Sequence, residues 1–175
     1  MTAEYDAVVY DLDGTLVRLN VDWDDVTADA ATILSARGVD TEGMTLWDIL
    51  EHAEENGYRG KIEERIAEHE REGARTSRDL PLTAELPAEV PVGVCSLNCE
   101  AACRIALEIH GIDSYVDAIV GRDTVASHKP DPEPLLEAIR ALSVDPSRAL
   151  FVGDTERDEE TAQRAGVPFQ YVANH

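Results

Sequence analysis

The chain has 175 residues, enough to bury a substantial core, and 43% of them are apolar. Asp and Glu number 36 against 15 Lys and Arg, a formal charge of −21. Such a surface disfavours nucleic acid and anionic membranes as partners. No segment is long and apolar enough to span a membrane, and Met1–Asp11 lacks the basic and apolar regions of a signal peptide, so a cytoplasmic protein is expected.

Only Lys61 and Lys129 are lysines, against thirteen arginines. An acidic, lysine-poor surface suits a cytosol of high salt, where charge repulsion is screened, and a halophilic host is the expectation. The three cysteines, Cys95, Cys99 and Cys103, are an odd number, which argues against a disulfide framework. Small core residues are expected there rather than metal ligands, because no histidine or fourth sulfur lies nearby in sequence.

In chain order, residues 6–11 read as a first, buried strand ending in Asp11-Leu12-Asp13-Gly14-Thr15. Residues 22–37 carry helical periodicity, with Val26, Ala30, Ile33 and Leu34 on one face and Gly38 as a stop. Further helices are predicted from Leu46 to Asn56 and from Lys61 to Glu72, ended by Gly57 and Gly73. No strong strand signal interrupts this region. Proline-punctuated chain at Pro81, Pro87 and Pro91 follows. From Val92 the pattern alternates, with strands near 92–95, 117–120, 149–153 and 169–172 and helices near 99–110, 132–142 and 157–165. Alternation of this kind is the signature of a parallel sheet with crossover helices. The fold class is therefore α/β, with an α-helical insertion.

The chemistry concentrates at strand ends. Asp11 and Asp13 lie two residues apart, hence on one face of an extended strand. Two bare carboxylates so close repel by roughly 4 kcal/mol at an effective dielectric near 20. A hard divalent cation with oxygen ligands is the natural compensation, and an acidic strand-end turn is the plainer alternative. Val92-Gly93-Val94-Cys95 ends in the hydroxyl of Ser96. Lys129-Pro130 follows a strand and loop, and Pro130 biases Lys129 towards extended backbone. Ala149–Val152 ends in Gly153-Asp154, with Asp158 four residues on. Ligands of open parallel sheets bind beyond the carboxyl ends of the strands, where Asp11, Asp13, Ser96 and Asp154 all fall.

This order (Asp-x-Asp, Ser, Lys, Gly-Asp-x-x-x-Asp) resembles the haloacid dehalogenase (HAD) superfamily, and within it the phosphoglycolate phosphatase-like branch with a helical cap after the first motif. The resemblance covers residues 5–19 and about 90–173. It implies a Rossmann-like, three-layer core formed by residues 1–17 and 83–175, with a short cap formed by residues 18–82. It also implies a Mg2+-dependent phosphatase of a small phosphorylated metabolite, phosphoglycolate-like substrates included. Asp11 would be the nucleophile and Asp13 the acid and base. Ser96 and Lys129 would hold the phosphoryl group. Asp11, Asp13 (through its carbonyl), Asp154 and Asp158 would form the metal site, Asp158 holding a metal-bound water or orienting Lys129. The second aspartate is missing in the dehalogenase branch, so its presence as Asp13 favours phosphoryl chemistry.

Alternatives are a sugar phosphomutase, which the short cap disfavours, and a non-catalytic regulator, which loss of a motif residue would have favoured. Where the family often has Asn directly after the second-motif Ser or Thr, this chain has Leu97 and then Asn98. Arg59 and Lys61, around Gly60, are expected to be a solvated helix start, with reach to a substrate anion as the alternative. His128 reads as a loop residue. Neither an oligomeric state nor the identity of the substrate is legible.

Overall fold

The computed structural model describes residues 4–173. In chain order the elements are β1 (Ala7–Tyr10), β2 (Val17–Arg18), α1 (Trp23–Ser35), α2 (Leu46–Glu55), α3 (Arg59–Arg75), β3 (Arg78–Asp79), β4 (Val92–Cys95), α4 (Glu100–Ile109), β5 (Ala118–Val120), α5 (Glu133–Ala141), β6 (Ala149–Gly153), α6 (Glu156–Ala165) and β7 (Phe169–Tyr171). Five strands form one parallel sheet in the order β5-β4-β1-β6-β7. The central strands are buried on both faces, which is why they read as unbroken apolar runs rather than alternating ones.

Successive side chains of β1 enter opposite cores. Val8 and Tyr10 join Val92, Val94, Cys103, Ala106 and Leu107 on the α4 side. Ala7 and Val9 join Phe151, Leu135, Ile139 and Ala162 on the α5–α6 side. The result is a three-layer α/β/α sandwich. All three cysteines are free and buried, and burial raises the Cys95 thiol to about 12 and the Cys99 thiol to about 11. They are core residues.

The helical insertion has its own core, built from Val26, Ala30, Leu34, Ile49, Leu50, Ala53, Ile62 and Ile66. Its first two helices start on side-chain caps. Asp22 accepts from the Asp24 and Asp25 amides, and Thr45 with Asp48 forms a reciprocal capping box. Two features depart from the expectation. A two-residue antiparallel ladder, Val17–Arg18 against Arg78–Asp79, closes the insertion at its base. Two residues per strand are too few to leave a strand signal in the sequence.

Gly73 does not end its helix: α3 continues to Arg75 with Gly73 buried inside it. The reason is close approach. A Cβ at Gly73 would lie 2.5 Å from Val21 Cγ2 and 2.9 Å from the Asn20 carbonyl oxygen. The Asn20 amide also donates to the Gly73 carbonyl at 3.1 Å.

Gly73→Ala should therefore destabilise the fold by about 1–3 kcal/mol, despite alanine's better helix propensity. Denaturant unfolding checks this, and unchanged or increased stability would contradict the close approach. The charge of −21 carries a second expectation: the melting temperature should rise as salt goes from about 0.1 M to about 1 M and the Debye length shrinks from about 10 to about 3 Å. A flat profile would argue against a high-salt adaptation.

Candidate active site

Register brings the motif residues together. Tyr10 pairs with Val94 on one side and Val152 on the other, so β1, β4 and β6 end level. Asp11 extends β1 by one residue, its amide donating to the Val152 carbonyl at 2.9 Å. Beyond it the chain turns tightly, with Leu16 and Val17 amides donating to the Leu12 carbonyl and Gly14 at φ +86°. The turn passes directly over Asp154, for a Cβ on Gly14 would lie 2.1 Å from Asp154 Oδ2. Only glycine satisfies both the backbone angle and that approach.

Asp11, Asp154 and Asp158 each place a carboxylate oxygen within 4.8 Å of the others. Lys129 sits among them. Its ammonium donates to Asp11 Oδ1 at 3.0 Å, Asp158 Oδ1 at 2.6 Å and the Cys95 carbonyl at 3.2 Å, and the residue is 3% exposed. Burial alone would lower its pKa, but Asp11 and Asp158 outweigh that and hold it above the usual lysine range. Burial pushes the Asp11 carboxyl up, with Lys129 pulling it back only in part. Asp13 is raised by partial burial, against the lowering effect of the Leu19 amide, which donates to its Oδ1 at 3.0 Å.

Asp158 is fully engaged. Its second oxygen accepts from the Asp154 and Thr155 amides, each at 3.3 Å, and from the Thr155 hydroxyl at 3.0 Å. It thus caps α6 and fixes Lys129 at once. Ser96 Oγ accepts from the amide and side-chain nitrogens of Asn98, at 3.1 and 3.2 Å, leaving its own O–H free to donate. The Asn98 side-chain oxygen is buried without a partner among the described residues.

These groups floor a cavity of about 390 Å³ lined by Asp11, Asp13, Ser96, Asn98 and Lys129. Trp23, Trp47, Leu46, Leu50 and Ile66 of the helical layer also line it, with Arg122 and Arg157. All the motif residues of the sequence thus gather in and beside one cavity. Arg59 and Lys61 do not line it: Arg59 pairs with Glu54 and Glu63, and Lys61 borders a separate groove with Ile33 and Arg37. The solvated helix start is the reading that fits.

Arg122 carried no motif signal. It lies in the loop after β5 and reaches into α3, where it meets the fully buried Glu70 at 2.6 and 2.8 Å and Glu63 at 3.1 Å. It also donates to the Leu97 carbonyl at 2.8 Å. Its buried partner was the available clue, since a glutamate on the apolar side of an amphipathic helix calls for a cation. Burial raises the Glu70 pKa, and Arg122 lowers it only in part.

The fold and site define an open, parallel α/β domain with a carboxylate-rich cavity at the carboxyl end of its sheet. A sequence profile described as haloacid dehalogenase-like hydrolase matches residues 8–172, so the chain belongs to that family. Curated relatives include a phosphoglycolate phosphatase of Mesorhizobium japonicum, 39% identical over 89 residues. That match spans 48% of this chain but only 39% of the relative. A phosphoglycolate phosphatase of Xylella fastidiosa is 29% identical over 92% of this chain and 77% of its own length. Among solved structures, CbbY of Rhodobacter sphaeroides in complex with phosphate superposes with a TM-score of 0.66 at 21% identity, over 98% of this chain and 87% of its own.

Arg122→Ala should destabilise the protein by about 3–5 kcal/mol at neutral pH, because it strands a buried carboxylate. Glu70 has a folded pKa raised above its unfolded value, so its protonated form stabilises below the unfolded pKa and that contribution is lost as pH rises. The penalty for Arg122→Ala should therefore shrink in acid. Equal penalties at pH 7 and in acid would show that Glu70 is not the stranded group.

Proposed function

We propose that the chain is a Mg2+-dependent phosphatase of a small phosphorylated metabolite, acting through an aspartyl-phosphate on Asp11. One observation carries this reading: Asp11 stands on a cavity floor with one oxygen tied to Lys129, while Ser96 holds a free O–H donor in the same cavity. The phosphoglycolate phosphatases among its relatives support the substrate class.

The donor set fits a hard, octahedral cation. It consists of oxygens alone, and Gly14 leaves open the space beside Asp154 that a Cβ would fill. Asp11, Asp154 and the Asp13 carbonyl would hold Mg2+, whose contribution is to neutralise repulsion between the carboxylates and the phosphoryl oxygens. Asp158, both of whose oxygens are engaged, orients Lys129.

The second oxygen of Asp11, Oδ2, which the Thr15 hydroxyl meets at 3.5 Å, attacks phosphorus as the ester P–O bond breaks. Asp13 gives its proton to the departing alcohol oxygen. Ser96 donates to a phosphoryl oxygen meanwhile, and the charge of Lys129 beside Asp11 offsets the negative charge of the transferring group. In the second half Asp13, now a carboxylate, takes a proton from water as that water attacks phosphorus. This frees Asp11 and inorganic phosphate. The apolar helical layer over the cavity excludes bulk water from both steps.

Asp11→Asn keeps the side chain's shape and removes the nucleophile. Turnover of a generic phosphate ester should fall by about a thousandfold or more while the circular dichroism spectrum is unchanged. Retention of half the wild-type rate would exclude an aspartyl-phosphate on Asp11. Activity should disappear in excess chelator and return with Mg2+, and Ca2+ should support it poorly because its larger shell favours bidentate carboxylate binding. Full activity in chelator would exclude the metal role. A panel of phosphorylated metabolites would then rank substrates.

A further inference from the structure

The direction of the Ser96 hydroxyl is set by Asn98. Ser96 Oγ accepts from the Asn98 amide at 3.1 Å and from the Asn98 side-chain nitrogen at 3.2 Å, and its O–H takes the direction these two bonds leave open. Asn98 is not anchored at its own far end, since its Oδ1 is buried without a partner among the described residues. Its placement therefore comes from the backbone around it.

That backbone is held from two sides. The core supplies one: the Ser96 amide donates to the Val120 carbonyl at 2.9 Å, the Arg122 amide to the Asn98 carbonyl at 2.9 Å, and the Glu100 amide to Asp123 Oδ1 at 2.8 Å. The helical insertion supplies the other, through Glu70 of α3. Glu70 Oε1 accepts from the Cys99 amide at 3.3 Å, and its two oxygens take the fork of Arg122 at 2.6 and 2.8 Å. The same guanidinium donates to the Leu97 carbonyl at 2.8 Å. The carbonyl before Asn98 and the amide after it thus close on one buried ion pair. Glu70 itself is fully buried and does not line the cavity, so it meets the site only through this turn.

Resting on the phosphatase reading above, we infer that Glu70 is a positioning residue: with Arg122 it clamps the turn from Leu97 to Cys99, fixes Asn98, and so aims the Ser96 hydroxyl at the transferring phosphoryl group. Stability alone gives a weak reason for the pair, because well-packed apolar side chains serve a buried site as well or better. Ile66, Ala67 and Ala74, also buried in α3, are of that kind. What the pair adds is direction, and a donor held at a fixed place is what stabilises developing charge. The helical insertion thereby acts on the rate of the chemical step, although Glu70 takes no part in bond making.

The test is a double-mutant cycle on the Mg2+-loaded full chain, with ethyl phosphate and a sugar phosphate as esters of different size. Glu70→Gln keeps the side chain's shape and an acceptor for the Cys99 amide but dissolves the ion pair. It should lower kcat on both esters by about fivefold or more, with KM within about twofold of wild type. In the Ser96→Ala background the same change should cost less than about twofold, because the hydroxyl it aims is gone. Arg122→Lys offers one nitrogen in place of a fork and should repeat this pattern. Asp29→Asn, which breaks the pairs with Arg65 and His69 elsewhere in the insertion, should leave kcat unchanged. An unchanged kcat in Glu70→Gln, or an equal loss with and without Ser96, overturns the inference. Should Ser96→Ala be too slow to measure, hydrogen exchange decides. Glu70→Gln should then speed exchange of the Asn98 and Cys99 amides by about tenfold or more while those of β6 are unchanged. Unchanged exchange in the turn, or faster exchange throughout the chain, refutes the clamp. Should the wild-type chain turn over no ester, the phosphatase reading fails separately, and the same exchange measurement still decides whether Glu70 holds the turn.

Discussion

One buried ammonium organises this protein. Lys129 joins the end of β1 through Asp11, the end of β4 through the Cys95 carbonyl, and α6 through Asp158. It also lies 5.5 Å from the centre of the Phe151 ring of β6. Asp11, Asp154 and Asp158 stand close enough that any two unit charges among them repel by roughly 4 kcal/mol at an effective dielectric near 20. A solvated side chain could not answer that repulsion from outside, so the cation has to be buried with them. Burial is affordable because the ammonium donates to three acceptors and the second Asp158 oxygen is itself satisfied in capping α6. Removing the lysine would leave the carboxylates uncompensated, a cost of about 3–5 kcal/mol in comparable buried pairs.

The compensation is partial, and that has chemical meaning. Four carboxylates, those of Asp11, Asp13, Asp154 and Asp158, gather at the strand ends around one lysine. A phosphate ester approaching this end meets net negative charge. A protein selected for stability alone would have fewer carboxylates there. The excess makes sense where a divalent cation completes the site, which is the reading proposed above. The overall charge of −21 need not repel an anionic substrate, since repulsion from charges beyond a Debye length is screened while Lys129 lies within the site.

The sequence revealed what is carried by local pattern. Asp11, Asp13, Ser96 and Asp154 were readable because each terminates an apolar run, and a run buried on both faces needs no partner to be recognised. Lys129 was readable because lysine is rare here and proline follows it. Arg122 and Glu70 were not, since they meet across 52 positions and neither sits in a strand-end motif. Gly73 looked like a helix stop because glycine usually is one; its burial against Asn20 and Val21 depends on how the insertion folds back, which no local window contains. The stacking of Trp47 on His128 was hidden for the same reason: the two rings come from separate segments.

The long helix α3 shows how the two layers are joined. Ile62 and Ile66 in its first half pack into the helical core, whereas Ala67 and Ala74 further on pack into the core beside the sheet. Between and beside them Glu70 is pinned by Arg122, and Ser77, just after the helix, meets His110 at the end of α4 at 3.0 Å. Helix α3 is therefore a strut shared by both cores. Helices α1 and α2 carry the aromatic and aliphatic wall over the cavity and are tied to α3 by the helical core and by Asp29 of α1, which meets Arg65 at 2.7 Å and His69 at 2.6 Å; α2 meets the catalytic loop through the stacking of Trp47 on His128. Stacking of one exposed pair is far weaker than a buried ion pair. The helical layer is therefore fixed to the sheet chiefly through α3, whose Ile62 and Ile66 share a core with α1 and α2.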